Sequence, residues 1–276
     1  MYSIYHLFRS LNKEKSSLKY IEKLDLFPFD LNLFSCRNTG VFPDFAIKIN
    51  EDKSVFTGGE LIELKDSKTY SVSSFNSTIP SGSKEVSSII SSKNSNIYKQ
   101  MEDAGNNIES LPIREVYYLI RGQKKDNTKV CLVHGSFFET ISKEDLISES
   151  FMQVFQEIMD DNDQEMNQEL KSYINTVFSE QKNLSRVRNV DKASVKLRFR
   201  IMTEVKAEGN ILNTSKYPEI KDNTLNFVVP CDNKKQEKDI LRKYKLCFSE
   251  KELKDFSIFK IKHHFNGYFL VFQTQL

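Results

Sequence analysis

The first half of the chain contains two segments in which apolar and polar residues alternate. Residues 41–49 place three apolar side chains on one face, and residues 55–65 repeat this alternation after a polar turn. A period of two is typical of β-strands, so the two segments predict a hairpin. Gly58 and Gly59 interrupt the second strand, and they predict a bulge or a close approach of another backbone.

The rest of the chain adds helices and strands in an order that predicts a mixed α/β fold. The helical segments are residues 10–26, 84–104 and 141–180, and the further strands are residues 116–121, 130–135, 195–202 and a hairpin at 259–272. We therefore expect an α+β arrangement with a mixed sheet. In this arrangement residues 1–180 form a core with a helical acidic segment, and residues 181–276 form a basic, strand-rich lobe packed on the core.

Composition narrows the class of protein. A chain of 276 residues with 21 Phe and 11 Tyr can bury a sizeable core. It contains no run of 18 apolar residues, which argues against a membrane-spanning helix, and its first ten residues lack the apolar run of a secretory signal. The four cysteines are far apart, which argues against a zinc ribbon or a disulfide scaffold. We expect a soluble cytoplasmic protein with no membrane partner.

Charge is balanced overall but unevenly distributed. Forty basic and 38 acidic residues give a net charge of +2. Residues 139–169 contain ten acidic residues and one lysine, whereas residues 182–206 contain eight basic and two acidic residues, and residues 234–262 contain ten basic and five acidic residues. The basic segments fit either solvated surfaces or a surface that binds a polyanion.

Two carboxylates and one ammonium are predicted to converge across the hairpin. Glu63 and Lys65 point to one face of their strand, because side chains alternate with period two. Asp44 begins the preceding strand, and a hairpin return can bring it beside Glu63. Asp44 and Glu63, with the backbone carbonyl of Leu64, could supply oxygen ligands to Mg²⁺, and Lys65 could stabilise a phosphate transition state. A salt bridge along an exposed strand is the alternative interpretation.

The pair Pro43-Asp44, followed by Glu63-Leu64-Lys65, resembles the PD-(D/E)xK nuclease superfamily. The segment 10–135 resembles its α-β-β-β-α-β core. The residues that follow Lys65 make the chain most similar to type II restriction endonucleases. This resemblance implies Mg²⁺-dependent hydrolysis of a specific double-stranded DNA site, with 5′-phosphate and 3′-hydroxyl ends.

The resemblance also implies site residues. Asp44, Glu63 and Lys65 carry over position by position as the catalytic set, with Asp44, Glu63 and Leu64 as metal ligands. Many members of the superfamily add a glutamate from the first helix; here Glu22 is the first candidate and Glu14 the second. Glu60 is left out because strand parity turns it away from Glu63.

Several polar and basic residues are candidates for contacts with DNA, although each also fits an ordinary solvated loop or sheet face. Such side chains can bind phosphates or base edges. The candidates are Asn76, Lys84, Arg186, Arg188, Lys196, Arg198 and Arg200.

The expected partners follow from the same resemblance. Cleavage of both strands of a palindromic site suits a two-fold symmetric homodimer, and a restriction enzyme needs a cognate DNA methyltransferase encoded nearby. Three alternatives stay open: a structure-specific or repair nuclease of the same fold, a DNA-binding protein without catalysis, and a protein-interaction module built on the acidic segment.

Overall fold

The computed structural model describes most of the chain between residues 34 and 276. The described residues are 34–36, 42–47, 49, 58–72, 74–76, 80–89, 98, 101–102, 108–139, 143–179, 189–192, 195–198, 202–248 and 250–276. The helix expected at 10–26, with Glu14 and Glu22, lies outside these residues. So do Arg186, Arg188 and Arg200.

The described residues form thirteen strands, five α-helices and three short 3₁₀ helices. The strands are β1 Phe34–Cys36, β2 Phe45–Ile47, β3 Leu61–Ser67, β4 Ser74–Asn76, β5 Ser83–Glu85, β6 Ile113–Lys124, β7 Asn127–His134, β8 Asn189–Lys192, β9 Val195–Arg198, β10 Met202–Glu204, β11 Thr224–Pro230, β12 Ser257–His263 and β13 Gly267–Gln275. The α-helices are α1 Val86–Ile89, α2 Lys143–Asp161, α3 Gln168–Ser179, α4 Lys234–Cys247 and α5 Glu250–Leu253, and the 3₁₀ helices are Ile108–Ser110, Gly135–Phe138 and Ala207–Gly209.

Nine of these strands form one mixed sheet. Eight lie in the order β1-β2-β3-β6-β7-β11-β13-β12, and β5 pairs with the beginning of β6. The pairs β3–β6 and β7–β11 are parallel, and the other neighbours are antiparallel. A parallel pair needs a long crossover, and the segment between β3 and β6, which includes α1, provides one of them.

The strand registers define two faces of this sheet. Residues directly opposite each other on neighbouring strands point to the same face. The face that we call the site face carries Glu63, Tyr118, Val133, Val228 and Val271 across five strands. The opposite face, called the helix face, carries Leu64, Leu119, Leu132, Phe227 and Phe272.

Each face is covered by a different part of the chain. On the helix face, Ile240, Leu241 and Tyr244 of α4 pack against a buried cluster that includes Leu270 and Phe272. The Tyr244 and Phe272 rings are stacked, with centroids 3.5 Å apart. The site face is covered by the 3₁₀ helix Gly135–Phe138 and by residues 205–222.

Phe137 is at the centre of the packing on the site face. Its side chain is fully buried. Its ring centroid lies 4.7 Å from that of His263, 5.0 Å from that of Phe269 and 5.5 Å from that of Tyr217. One aromatic side chain therefore joins the end of β7, the edge hairpin β12–β13 and the covering segment.

At two positions another part of the chain lies so close to the backbone that only glycine fits. A Cβ atom at Gly122 would lie 2.5 Å from Leu212 Cδ1 and 3.0 Å from the carbonyl oxygen of Thr69, so β6 has a glycine where residues 205–222 cross it. Gly267 has φ of +80°, in the left-handed region, and its Cβ would lie 2.5 Å from Asp232 Oδ1. This glycine completes the turn between β12 and β13, so the hairpin predicted at 259–272 is confirmed.

The chain divides by contacts into two units. The sheet described above belongs to the unit made of residues 1–73, 82–138 and 205–276. The other unit contains residues 74–81 and 139–204. Within it, α2 and α3 pack as a helical hairpin that carries most of the acidic segment, β4 pairs with β10, and β8 pairs with β9.

Several expectations change in detail. The mixed α/β class is confirmed, and β11, β12 and β13 lie in the same sheet as β3. Of the strand expected at 55–65 the structure describes residues 58–65, and among these the strand begins at Leu61, because Gly58 and Gly59 both have positive φ and turn the chain. Within 84–104 the structure describes a helix only at 86–89, with helical residues at 98, 101 and 102.

The helix α4 is not among the elements that the sequence pattern predicts. The contact-based units differ from the expected division into residues 1–180 and 181–276, and that division stays a prediction about domains. None of the helices in the described residues is both long and apolar enough to cross a membrane.

Candidate active site

The register of the β2–β3 hairpin brings Asp44 beside Glu63. Phe45 lies opposite Ile62 and Ala46 lies opposite Leu61 in this antiparallel pair. One step further along the same register places Asp44 opposite Glu63. Residues opposite each other share a face, so the two carboxylates meet on the site face. The predicted convergence across the hairpin is therefore present in the structure.

A hydrogen bond fixes Asp44 at the end of the hairpin. The backbone N–H of Leu64 donates to Asp44 Oδ2 at 2.7 Å. The Leu64 carbonyl points to the same edge of β3 as its N–H, because a strand residue directs both groups to one neighbour. This edge is the β2 side, where the N–H of Ile47 donates to the carbonyl of Glu60 at 2.8 Å. The carbonyl of Leu64 therefore points to the edge on which Asp44 lies.

Lys65 completes the cluster of charges. Its Nζ donates to Glu63 Oε1 at 3.0 Å. The side chains of Lys65 and Glu63 are 23% and 15% exposed, so the pair is sheltered but open to a ligand from one side. Two negative charges and one positive charge thus lie together, and the cluster of Asp44, Glu63 and Lys65 has a net negative charge.

The electrostatics of Glu63 favour a further positive charge. Burial raises the pKa of its carboxyl group, Lys65 opposes this change, and the nearby negative charge of Asp44 adds to it. Glu63 Oε2 is buried and accepts no hydrogen bond from the described residues. A buried carboxylate oxygen without a donor is destabilising unless a proton or a cation binds to it.

This oxygen set fits Mg²⁺. Magnesium prefers carboxylate and carbonyl oxygens, and it usually keeps several waters and binds one or two carboxylates. Asp44 and Glu63 provide two carboxylates, and Leu64 provides a carbonyl at the same edge. Within the described ranges, no three or more His, Cys, Asp or Glu side chains form a group suited to a metal ion, so any ion at this place depends on backbone and water oxygens as well.

The other acid near β3 has different neighbours. Burial raises the pKa of Glu60 most, and the remaining side-chain charges that shift it are those of Glu115, which raises it, and Arg114, which lowers it. Arg114 is buried, and burial lowers its pKa to about 10. Glu60 thus belongs to a different group of charges from Asp44, Glu63 and Lys65, consistent with its exclusion by strand parity.

The predicted DNA contacts are described to different extents. Lys84 lies in β5 and is half-buried, with its Nζ 5.4 Å from the ring centroid of Phe42, two residues before Asp44. The backbones of Asn76 in β4 and of Lys196 and Arg198 in β9 are described, but not their side chains. These contacts stay predictions, as do those of Arg186, Arg188 and Arg200 and the role of Glu22.

Tyr118 is a neighbour of the cluster that the sequence did not indicate. It lies opposite Glu63 in the parallel β3–β6 pair, is fully buried and packs against Phe138 with ring centroids 5.2 Å apart. It therefore lies beside Glu63 on the site face, in the neighbouring strand of the sheet. No local pattern reports a parallel partner, which is why this neighbour was missed.

The raised pKa of Glu63 predicts how stability changes with pH in metal-free protein. A carboxyl group whose pKa rises on folding binds a proton more tightly in the folded state. Its contribution to stability is therefore present below the ordinary glutamate pKa and is lost as pH rises through the raised pKa. Glu63→Gln, which keeps an oxygen acceptor for Lys65, should raise Tm in EDTA at pH 8 by about 3 °C, as a gain of about 1 kcal/mol would.

Differential scanning fluorimetry between pH 4 and pH 9 measures this difference. The gain should shrink as pH falls and Glu63 becomes protonated. Glu165→Gln, at an exposed position in the α2–α3 turn, is the matched control and should leave Tm unchanged. A lower Tm for Glu63→Gln at pH 8 would show that the ion pair with Lys65 outweighs the burial of the carboxylate.

Comparisons with family models, curated proteins and solved structures find no significant match to this chain.

Proposed function

We propose that this protein is a Mg²⁺-dependent endonuclease that hydrolyses double-stranded DNA at specific sites, in the manner of type II restriction enzymes. The observation that carries this proposal is the meeting of Asp44, Glu63 and Lys65 at the end of the β2–β3 hairpin. The resemblance of Pro43-Asp44 and Glu63-Leu64-Lys65 to the PD-(D/E)xK superfamily supports it, because the three side chains lie where that chemistry needs them.

In this proposal the carboxylates of Asp44 and Glu63 and the carbonyl of Leu64 hold the metal. When bound, Mg²⁺ lowers the pKa of a coordinated water and neutralises charge that develops on the phosphate. Asp44 is held by the N–H of Leu64, so its orientation is set before the substrate arrives. The Glu63 side chain is only 15% exposed, and such burial strengthens the interaction of a carboxylate with a cation.

Lys65 acts on the reacting phosphate. Its ammonium group lies 3.0 Å from Glu63 Oε1, on the same face as both carboxylates. A water molecule loses a proton to solvent as its oxygen attacks phosphorus, the bond from phosphorus to the 3′ oxygen breaks, and the leaving oxygen takes up a proton from solvent. This chemistry gives the 5′-phosphate and 3′-hydroxyl ends. Lys65 orients the attacking water and stabilises the negative charge of the transition state.

The proposal also includes recognition of a specific DNA sequence, a homodimer that cuts both strands, and a cognate DNA methyltransferase encoded nearby. The basic segments of the chain favour a polyanionic substrate.

Cleavage of natural DNA tests the proposal directly. Purified protein is incubated with several phage and plasmid DNAs in Mg²⁺, in Ca²⁺ and in EDTA. Discrete fragments in Mg²⁺ alone are expected, with 5′-phosphate ends that a ligase can join. Asp44→Asn should abolish cleavage, since an amide oxygen can still accept the Leu64 hydrogen bond but provides no negative charge for the metal.

The matched control is Asp66→Asn. Asp66 is exposed at the end of the same strand and accepts a hydrogen bond from Arg121 Nε at 2.7 Å, outside the cluster. This variant should cleave as the wild type does. If the protein cleaves branched DNA but not linear DNA, it is a structure-specific nuclease and not a site-specific one. Intact DNA on every substrate in Mg²⁺, together with salt-dependent binding, would favour a DNA-binding protein without catalysis.

Magnesium should also stabilise the folded protein. An ion that binds only the native state at 100 times its Kd adds about 2.7 kcal/mol, which is about 5–10 °C in Tm for a chain of this size. The same addition should have no effect on Asp44→Asn. The increase should fall at acidic pH, because a proton on Glu63 competes with the ion. An equal increase in Tm for wild type and for Asp44→Asn would show that the ion binds at another place.

A further inference from the structure

The helix α4 carries an unusual concentration of positive charge on its outer surface. Over 14 residues it contains six basic and two acidic residues. The basic residues are all exposed: Lys234, Lys235, Lys238, Arg242, Lys243 and Lys245. At about 100° per residue, all of them except Lys243 lie within an arc of about 100°, and at 1.5 Å per residue they extend over about 16 Å. We call these five residues the α4 basic row.

The rest of α4 makes it a rigid support for this row. Asn233 caps the helix, since its side chain accepts from the N–H groups of Lys235 and Gln236 at 3.0 Å. Ile240 and Tyr244 lie on the side of the helix that faces away from the row, and together with Leu241, which lies next to the row, they pack on the sheet. The row therefore has a fixed geometry and does not depend on the conformation of a loop.

The acidic residues of α4 do not neutralise the row. Glu237 is engaged by Lys260 of β12, with an N–O distance of 2.7 Å. Asp239 lies outside the arc and reaches only Arg242, at 3.8 Å between two exposed side chains. Among the described residues, the ion pairs of the row thus involve Arg242 alone, and four lysines stay open to a ligand.

The arrangement opposes the stability of the helix itself. Lys234 and Lys235 lie in the first turn, where the helix dipole disfavours cations. Lys238 is four residues from both Lys234 and Arg242, a spacing at which like charges repel. Places where a sequence breaks local rules without a structural gain are typical of functional surfaces. The row is explained by a ligand that brings a line of negative charges.

We propose that the α4 basic row binds the sugar-phosphate backbone of duplex DNA at a place separate from the candidate active site. A straight row of cations about 16 Å long matches a line of phosphates on a DNA strand. A membrane surface fits less well, because none of the described side chains of α4 is an exposed large apolar residue that could insert into lipid. The partner is therefore nucleic acid.

The position of α4 determines what this contact does. The helix packs on the helix face of the sheet, whereas Glu63 and Lys65 point from the site face. The row therefore holds DNA that lies outside the cluster of Asp44, Glu63 and Lys65, and it increases affinity without reading the cleaved site. This inference goes beyond the proposed nuclease activity and does not depend on it, since a protein without catalysis would use the same surface.

Binding measured in EDTA tests the row without cleavage. The quadruple variant K234Q/K238Q/R242Q/K245Q is compared with wild type by fluorescence anisotropy on a labelled duplex of about 40 base pairs, over a range of salt concentrations. We expect affinity at low salt to fall at least tenfold. The slope of log affinity against log salt should decrease by about 3 to 4, at about 0.9 for each lost phosphate contact.

Matched controls separate the row from overall charge. The variant K68Q/K124Q/K125Q/K221Q removes the same charge from exposed lysines outside α4 and outside the basic segments 182–206 and 234–262, and it should bind as wild type does. The α4 variant should have an equal or higher Tm, because its repulsions are removed. If it does not fold, K238Q/R242Q is used instead, with about half the change in slope.

Three results would overturn the proposal. Equal losses for both quadruple variants would show a general effect of charge, and unchanged binding by the α4 variant would show that the row does not bind DNA. Binding of wild type to vesicles containing phosphatidylserine as tightly as to DNA would assign the row to lipid. The binding assay contains EDTA and needs no cleavage, so a failed nuclease assay leaves this test intact.

Discussion

Lys65→Ala should slow Mg²⁺-dependent DNA cleavage by about 10²–10³-fold, the loss typical when one preorganised group that stabilises transition-state charge is removed. The ammonium group lies in the cluster with both carboxylates and donates to Glu63 at 3.0 Å, so no other described cation is held in its place. Single-turnover cleavage at saturating protein measures the rate of the chemical step. DNA affinity in Ca²⁺ should change little, because the α4 basic row and other contacts are intact.

The same variant should change the pH dependence of metal binding. Lys65 lowers the pKa of Glu63, although burial raises it by more. Without Lys65 the pKa of Glu63 rises further, and the stabilisation of the fold by Mg²⁺ should begin at a higher pH than in wild type. Lys68→Ala, at an exposed position just beyond β3, is the control and should match wild type in both measurements. Wild-type cleavage by Lys65→Ala would remove Lys65 from the catalytic set.

Phe137→Ala should reduce the free energy of unfolding by about 3–5 kcal/mol, the usual loss for a buried phenylalanine. For a chain of this size the corresponding decrease in Tm is about 6–20 °C. Phe137 is fully buried, and its ring contacts the rings of Tyr217, His263 and Phe269. Its removal leaves a cavity that three separate segments line, and a cavity between packed segments is only partly filled by relaxation.

Urea denaturation followed by circular dichroism measures this loss. Phe265→Ala is the matched control, since Phe265 is 57% exposed in the turn of the β12–β13 hairpin, and it should cost about 0.5 kcal/mol or less. Similar losses for the two variants would show that the site face is not closed around Phe137. The cluster of Asp44, Glu63 and Lys65 lies on the same face, so Phe137→Ala should also weaken the stabilisation by Mg²⁺.

Part of the geometry of the candidate site could be predicted because that part depends on local rules. Period-two alternation assigns Glu63 and Lys65 to one face, and a hairpin joins strands that are close in sequence. The register that places Asp44 opposite Glu63 does not follow from the sequence, because thirteen residues separate β2 from β3 and a connection of that length does not fix the pairing. The glycines at 58 and 59 were recognised as an interruption, but their positive φ values move the start of β3 to Leu61.

The larger sheet could not be predicted in the same way. The parallel pairing of β3 with β6, which places Tyr118 opposite Glu63, joins segments more than 40 residues apart, and both strands have the same apolar pattern whichever partner they take. The same reason explains why the sequence does not indicate that β11, β12 and β13 continue the sheet that contains β3. Periodicity identifies a strand and its faces, whereas its neighbour depends on the packing of the whole sheet.

The helix α4 was missed although the sequence contains its signals. Asn233 is a favourable N-cap, and Ile240, Leu241 and Tyr244 have the spacing of an apolar helical stripe. The high density of lysine makes charge the most prominent feature of this segment, and it obscures the apolar stripe. The sequence therefore indicated a basic segment, but only the structure shows that five of its cations form a row.

The hydrogen bond between Leu64 and Asp44 limits which substitutions the hairpin can tolerate over evolutionary time. In a descendant that no longer cut DNA, position 65 would be released from selection and could accept most polar side chains. Position 44 would still need an oxygen to accept from the main chain, so aspartate, asparagine or serine would persist there. An inactive relative should thus be recognised by a lost lysine and a retained acceptor twenty residues before the leucine.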